Sequence, residues 1–344
     1  MISLLVVNYR SAELARTAIR TARASSSQRL QVVAVDNSLD PAEADGLRDV
    51  ADVVIVSETN SGYAGGINRG RRACTGDIII VTNPDVVFAA QAIDHLAAEL
   101  RTASIAGPAL FWDDDHRWML PPADRNSGWE KIDELLAARS IAWAKERDRR
   151  RFRQRVAFWS ATEPRDVRAL SGAVLAFRAA DFDALGGFDE RFPLYFEETD
   201  FLRRAAERHM RIRYVPAAKC RHLYNQSAGQ VAADAAASYG ISEQRYLEKW
   251  NGPFAARFLA RMARPPRVWP AQPLAGPLVL DRDNVVVEAS PLPGFATAAG
   301  HFPASRTVDL PPEVRDSLRD GVLYLRTVVR TTGEVLATYA RYRS

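Results

Sequence analysis

Cysteine is almost missing from this 344-residue chain. Cys74 and Cys220 are the only two, which excludes a disulfide scaffold and a four-thiolate zinc site and makes a reducing, cytoplasmic compartment the expectation. Long apolar runs are missing too. None approaches the ~20 residues that cross a bilayer, and the opening residues, with Asn8, Tyr9 and Arg10, lack the charge-then-apolar order of a signal peptide. Excess charge of either sign is small: 46 Lys and Arg against 42 Asp and Glu leave +4, too little to draw nucleic acid by electrostatics. No internal repeat stands out, and low complexity goes no further than modest alanine richness. What is there is 47% apolar and 26% charged, the composition of a globular chain long enough for two domains at ~150 residues each.

Short apolar runs stop repeatedly at polar residues. Ser3-Leu4-Leu5-Val6-Val7 ends at Asn8, Val32–Val35 at Asp36-Asn37-Ser38, and Ile78–Val81 at Thr82-Asn83-Pro84-Asp85, with Val53–Val56 between and a helical pattern over 11–24. Continuous apolar strands alternating with helices predict an α/β fold with a mostly parallel sheet, in which ligands bind beyond the carboxyl ends of the strands. From 113 to 166 the chain becomes charged, with five arginines between 147 and 153 interleaved with Trp143, Phe152, Phe158 and Trp159, and one or two helices are expected there. An apolar segment, 169–177, a Gly186-Gly187 turn and an acidic helix start at 197–200 follow. Five prolines at 265, 266, 270, 273 and 277 predict a linker over 265–277, dividing a domain of residues 1–264 from a small β-rich one of 278–344. Within the latter, 322–330 and 335–342 flank Thr331-Thr332-Gly333-Glu334 as a hairpin would.

Three segments carry candidate chemistry. Asn60–Gly70 holds four glycines and two asparagines, suited to bringing backbone close to a phosphate at a helix start, although a ligand-free glycine-rich connection has the same look. Asn83-Pro84-Asp85 places one hard carboxylate at a strand end, where a magnesium or manganese ion taking its other ligands from diphosphate and water could sit; it is also a common turn. Glu197, Glu198 and Asp200 lie among Tyr195, Phe196 and Phe201, either as complements of a helix dipole or as carboxylates whose apolar surroundings make them better proton acceptors. His222 follows the extended segment 212–215 and reads as structural or as a ligand.

The ordered set Leu4–Tyr9, Val35–Ser38, Asn60–Gly70, Asn83–Asp85, Leu170-Ser171-Gly172-Ala173, Gly186–Glu190, Tyr195–Asp200 and His222 resembles the family 2 glycosyltransferases of the GT-A fold, nearest the bacterial rhamnosyltransferase and galactofuranosyltransferase branch. The resemblance spans roughly residues 1–250. It implies that Val7, Tyr9 and Asp36 border a nucleotide base, that Asn60, Gly62 and Asn68 lie along ribose and diphosphate, and that Asn83 and Gly172 line the donor pocket. Asp85 and His222 would hold a divalent metal, Mg²⁺ or Mn²⁺. Glu198 aligns with the general base, usually aspartate in relatives, with Glu197 or Asp200 able to share the role. The expected reaction is inverting, metal-dependent transfer of a rhamnose-like sugar or hexose from a UDP- or dTDP-sugar to a glycan, lipid-linked or small-molecule acceptor, as in bacterial surface-polysaccharide synthesis. A sugar nucleotidyltransferase is disfavoured, because Asn8-Tyr9-Arg10-Ser11 stands where its glycine-rich, basic signature would be; a non-catalytic carbohydrate-binding protein is the other alternative. Residues 129–160 combine arginine with aromatics, as helices docked on anionic lipid at the inner membrane face do, or as a solvated face packed on the catalytic domain does. The C-terminal module could grip an acceptor, pair subunits into a homodimer or cover the catalytic domain.

Overall fold

The computed structural model describes residues 1–223, 232–265, 267–316 and 321–342. Tyr224–Ser227, next to His222, and Pro266 of the linker lie outside the described residues. The chain forms two compact units, one of residues 1–109, 123–126 and 162–256, the other of 110–122, 127–161 and 257–344.

The first unit is built around β1 (Ile2–Asn8), β2 (Leu30–Asp36), β3 (Val53–Val56), β4 (Ile78–Thr82), β5 (Val86–Phe88), β6 (Ile105–Phe111), β7 (Arg165–Asp166), β8 (Val174–Arg178) and β9 (Ile212–His222). Their order is β3-β2-β1-β4-β8-β6-β9-β5, with β7 beside β9. The parallel part is β3-β2-β1-β4; β8 joins β4 and β6 antiparallel, and β5 and β7 pair antiparallel with β9. All seven residues of β1 are buried, as its uninterrupted apolar run requires of a strand covered on both faces. The helices of this unit are α1 (Ala12–Ala24), α2 (Pro41–Asp45), α3 (Gly62–Arg71) and α4 (Ala92–Glu99), then, after α5 (Gly128–Arg139) and α6 (Ile141–Trp159) of the second unit, α7 (Ala179–Leu185), α8 (Glu197–Glu207) and α9 (Ala232–Asn251). α10 (Pro253–Met262) leads out of it.

Two of the glycines of 60–70, Gly66 and Gly70, serve this packing. The helix begins at Gly62, and a Cβ at Gly66 would stand 2.8 Å from Val7, while one at Gly70 would collide with Leu5. Their absence lets α3 lie directly on β1.

In the second unit α5 and α6 share a body with a sheet ordered β10 (Gln272–Pro273), β16 (Val335–Tyr342), β15 (Val322–Val329), β12 (Val285–Ser290) and β13 (Ala299–His301). The expected hairpin is β15–β16, with Val322 opposite Tyr342 and Gly333 at φ 72° in the connection. Pro273, within the expected linker, sits on the edge strand β10, where a missing N–H breaks no ladder. β11 (Leu278–Val279) and β14 (Thr307–Val308) form a separate pair. The arginine-rich helix is anchored inward. Arg155 and Arg326 both donate to the fully buried Glu288, at 2.7 Å each, and Arg326 also grips both oxygens of Asp148 on α6. Among the described residues no helix is long and apolar enough to cross a membrane.

Candidate active site

The parallel register sets the site. Asn8 pairs with Asp36 at the carboxyl ends of β1 and β2, and β4 ends beside them at Thr82. Asp36 is fully buried; its Oδ1 accepts from Asn8 Nδ2 (2.8 Å) and Ser38 Oγ (2.6 Å), while its Oδ2 is buried without a partner. A buried acceptor left unmade is costly, so this oxygen is available to a ligand's N–H. Val7 and Tyr9 flank Asn8 along the chain, and the Arg10 guanidinium stands 5.4 Å from the Tyr9 ring centroid.

The α3 start is fastened to this edge. Asn60 Oδ1 accepts from Gly62 N at 2.9 Å, and Asn37 Nδ2 donates to Gly62 O at 2.9 Å. Gly62 has φ 69°, and a Cβ there would lie 2.8 Å from Pro193 O, two reasons for glycine. Asn68, expected along the diphosphate, is engaged otherwise: its amide donates to Phe188 O and Glu190 and accepts from Phe188 N, holding the turn at 187–190.

β5–β9 pairing sets Val86 against His222. It thereby brings Asp85, only 3% exposed, to 3.4 Å from His222 Nε2. The backbone N–H of Asn83 donates to Ala173 O at 2.9 Å, tying the β4–β5 turn to the residues before β8. A carboxylate oxygen facing an imidazole nitrogen is a donor set that suits Mg²⁺ or Mn²⁺ when phosphate and water complete the sphere. Among the described residues no cluster of three or more His, Cys, Asp or Glu side chains offers a full protein cage, so the fit is to a metal shared with its ligand.

The acidic segment opens α8. Tyr195 and Phe196 both have left-handed backbone, φ 66° and 69°, a conformation of order 1–3 kcal/mol each that persists where the surroundings enforce it. Phe196 is held against Tyr246, and Ser242 Oγ donates to Leu194 O at 2.8 Å, both from α9. The bend turns Glu197 and Glu198 inward. Each has a buried Oε2 with no partner. Burial, with the neighbouring Glu198 charge, holds the Glu197 carboxyl well above the usual carboxylate range, and burial raises Glu198 as well. Asp200 differs, and the structure removes it as a candidate base: it is fully buried, Arg204 Nε holds its Oδ2 at 2.8 Å, and Trp250 Nε1 (2.9 Å) and Lys249 Nζ (2.7 Å) hold its Oδ1.

Gly172 sits against the Glu198 side chain. A Cβ there would be 3.0 Å from Glu198 Cγ, so glycine leaves the carboxylate its place. Sequence reasoning passed over Tyr63. Its hydroxyl donates to Gly172 O at 3.3 Å, and its acidity is lowered first by burial and then by the charges of Glu197, Glu198 and Asp85. Its place after Gly62 at a helix start was the one available signal.

Glu197, Glu198 and Asp85 all act on the buried Tyr63 hydroxyl, so the raised carboxyls and the carboxylate–imidazole pair belong to one polar region. Residues 3–160, just under half of the chain, match the model described as Glycosyl transferase family 2, and this stretch carries a glycosyltransferase domain. The matched stretch contains Asp36, Tyr63 and Asp85 and ends before Gly172, Glu198 and His222. The N-acetylglucosaminyl-diphospho-decaprenol L-rhamnosyltransferase of Mycobacterium tuberculosis (strain CDC 1551 / Oshkosh) is 28% identical, over 56% of this chain and 67% of its own length. Among solved structures, GalNAc-T7 with UDP, GalNAc and Mn²⁺ is similar at 15% identity and TM-score 0.45, over 76% of this chain. The mannosyltransferase PcManGT from Pyrobaculum calidifontis in complex with GDP-Man and Mn²⁺ is similar at 17% identity and TM-score 0.42, over 76% of this chain and 73% of its own. The chain spans little more than half, 56%, of GalNAc-T7.

Proposed function

We propose that the protein transfers a sugar, rhamnose-like or hexose, from a UDP- or dTDP-sugar to a hydroxyl of a glycan or lipid-linked acceptor, with inversion at the anomeric carbon. The observation that carries this reading is the pair Glu197–Glu198, whose buried Oε2 atoms have no partner among the described residues and whose carboxyls are both raised. A carboxylate whose charge is disfavoured accepts a proton near neutral pH. Glu198, beside Gly172 and less buried than Glu197, takes the acceptor hydroxyl's proton, while Glu197 keeps its own. One base and no nucleophile at the anomeric carbon gives inversion by the logic that separates the two carboxylate geometries of glycosidases. Asp36 Oδ2 accepts the imide N–H of a pyrimidine base bordered by Val7 and Tyr9. Asn60 and Gly62, at the start of α3, face the diphosphate, where a helix amino terminus favours negative charge. Asp85 and His222 would hold a divalent metal, which when bound offsets the charge of the departing diphosphate.

Calorimetric titration with UDP, dTDP and GDP, each with and without Mn²⁺, tests the donor half. Metal-dependent binding of one pyrimidine nucleotide, lost in Asp85→Ala, is the expected result; equal binding of all three, with or without metal, would refute the assignment. NMR of the product anomer tests inversion.

A further inference from the structure

From Lys249 to Leu280 the chain carries five cations, Lys249, Arg257, Arg261, Arg264 and Arg267, and not one Asp or Glu. No comparable asymmetry is expected from a net charge of +4 over 344 residues. Within this stretch α10 is sharply two-faced. Ala256 and Leu259 are buried, while Phe254 and Phe258 are 85% and 62% exposed. Arg257 and Arg261, both exposed, alternate with these rings at i, i+3, i+4 and i+7, which places all four on one side of the helix. Arg264 and Val268 continue the exposed surface beyond its end.

Two bare phenylalanines on a helix face are unfavourable in water. Interleaved with arginines whose long stems are themselves apolar, they match the boundary layer of a bilayer, where rings enter the acyl edge and guanidinium groups meet phosphate. A protein partner would need carboxylates and a fitted groove; an anionic lipid surface needs only this spacing. The arginine-rich α6 is not equivalent, because four of its arginines are engaged within the unit: Arg147 and Arg150 with Asp133, Arg153 with Glu146, Arg155 with Glu288. Its companion α5 does add apolar surface, with Trp129, Ile132 and Leu136 exposed at i, i+3 and i+7. Arg139 at its end donates to Met262 O at 2.8 Å, joining the ends of α5 and α10.

We infer that the outward face of α10, Phe254, Arg257, Phe258 and Arg261, docks the protein on an anionic lipid surface. This rests on the helix alone and stands or falls independently of the donor and the base proposed above.

The test is flotation of the full chain with phosphatidylcholine vesicles and with phosphatidylcholine–phosphatidylglycerol vesicles over a range of salt. Wild type floats with the anionic vesicles and not with the neutral ones, and added salt weakens binding. Phe254→Ser with Phe258→Ser lowers affinity at least about tenfold, and each Arg→Gln at 257 and 261 lowers it about fivefold. Circular dichroism and a melting temperature unchanged in these variants separate loss of docking from loss of fold. A Phe254→Trp reporter quenched by brominated lipid shows entry of the ring itself. Wild type that ignores anionic vesicles overturns the inference, as do variants that bind like wild type. So does a sedimenting dimer abolished by the double serine variant without any vesicle binding, which would give the face to a second copy of the chain.

Discussion

Two clusters of buried carboxylates in this chain obey opposite rules. In the C-terminal unit Glu288 is enclosed by Arg155 and Arg326, and Asp148 by Arg326. Burial alone would raise the Asp148 carboxyl, but Arg326 outweighs it and holds the group below its ordinary range. At the start of α8, Glu197 is buried and Glu198 half-buried, each with a buried Oε2 that meets no partner among the described residues, and both are raised. A glutamate is thus enclosed by guanidinium groups in one unit and has its carboxyl raised by burial in the other. Asp200, three residues from Glu197, belongs to the first kind, since Lys249, Arg204 and Trp250 surround it. Counter-ions therefore separate two kinds of buried carboxylate within a single helical turn, the paired and the raised.

The contrast can be broken most forcefully at Glu198. Glu198→Gln keeps shape and removes the base, so kcat is expected to fall by about 10²–10⁴ with donor affinity nearly unchanged; steady-state kinetics beside nucleotide titration reads both. In the other cluster Glu288→Ala strands two buried guanidinium groups, and an unfolding loss of about 3–5 kcal/mol is expected in urea titration, without a change in nucleotide affinity. Tyr63→Phe removes the hydroxyl that ties α3 to Gly172 behind Glu198. It should lower kcat by about fivefold, the equivalent of one hydrogen bond of ~1 kcal/mol, leave KM for the donor in place and move the acidic limb of the pH–rate profile.

Glu197→Gln gives the smallest effect and the sharpest sign. A carboxyl raised in the folded state binds its proton more tightly there than in the unfolded chain, so its stabilisation is complete below the unfolded value, about 4.3, and is lost as pH rises through the folded value. Glutamine imitates the protonated form. The variant should therefore melt above wild type at pH 8 and together with it near pH 4. An unchanged difference across that range would put Glu197 among the ion-paired carboxylates.

Much of this was legible in the chain. The apolar runs ending at Asn8, Asp36 and Thr82 marked both the sheet and the edge where chemistry gathers, because a strand buried on both faces admits polar residues only past its end. Asp85 follows the end of β4 in the same way. The glycines of α3 misled: an absent Cβ signals close approach, yet only the packing shows that Leu5 and Val7, rather than a phosphate, approach Gly70 and Gly66. Tyr63 went unnoticed because an aromatic beside a glycine turn has no chemistry until carboxylates surround it.

By itself the sequence determined the local terms: which apolar runs can be strands, where helices can begin, which residue types can hold a metal or move a proton, and that no disulfide scaffold can form. Those follow from side-chain periodicity and the chemistry of single residues. The tertiary structure alone separates the three acids, since Glu197, Glu198 and Asp200 are alike in sequence and differ in whether Lys249, Trp250 and Arg204 arrive from α9 and α8. It also decided that α5 and α6 share a unit with a sheet more than a hundred residues away in the chain. A charge in a low-dielectric interior takes its state from whatever stands within a few ångströms, and that neighbourhood exists only once the chain has folded.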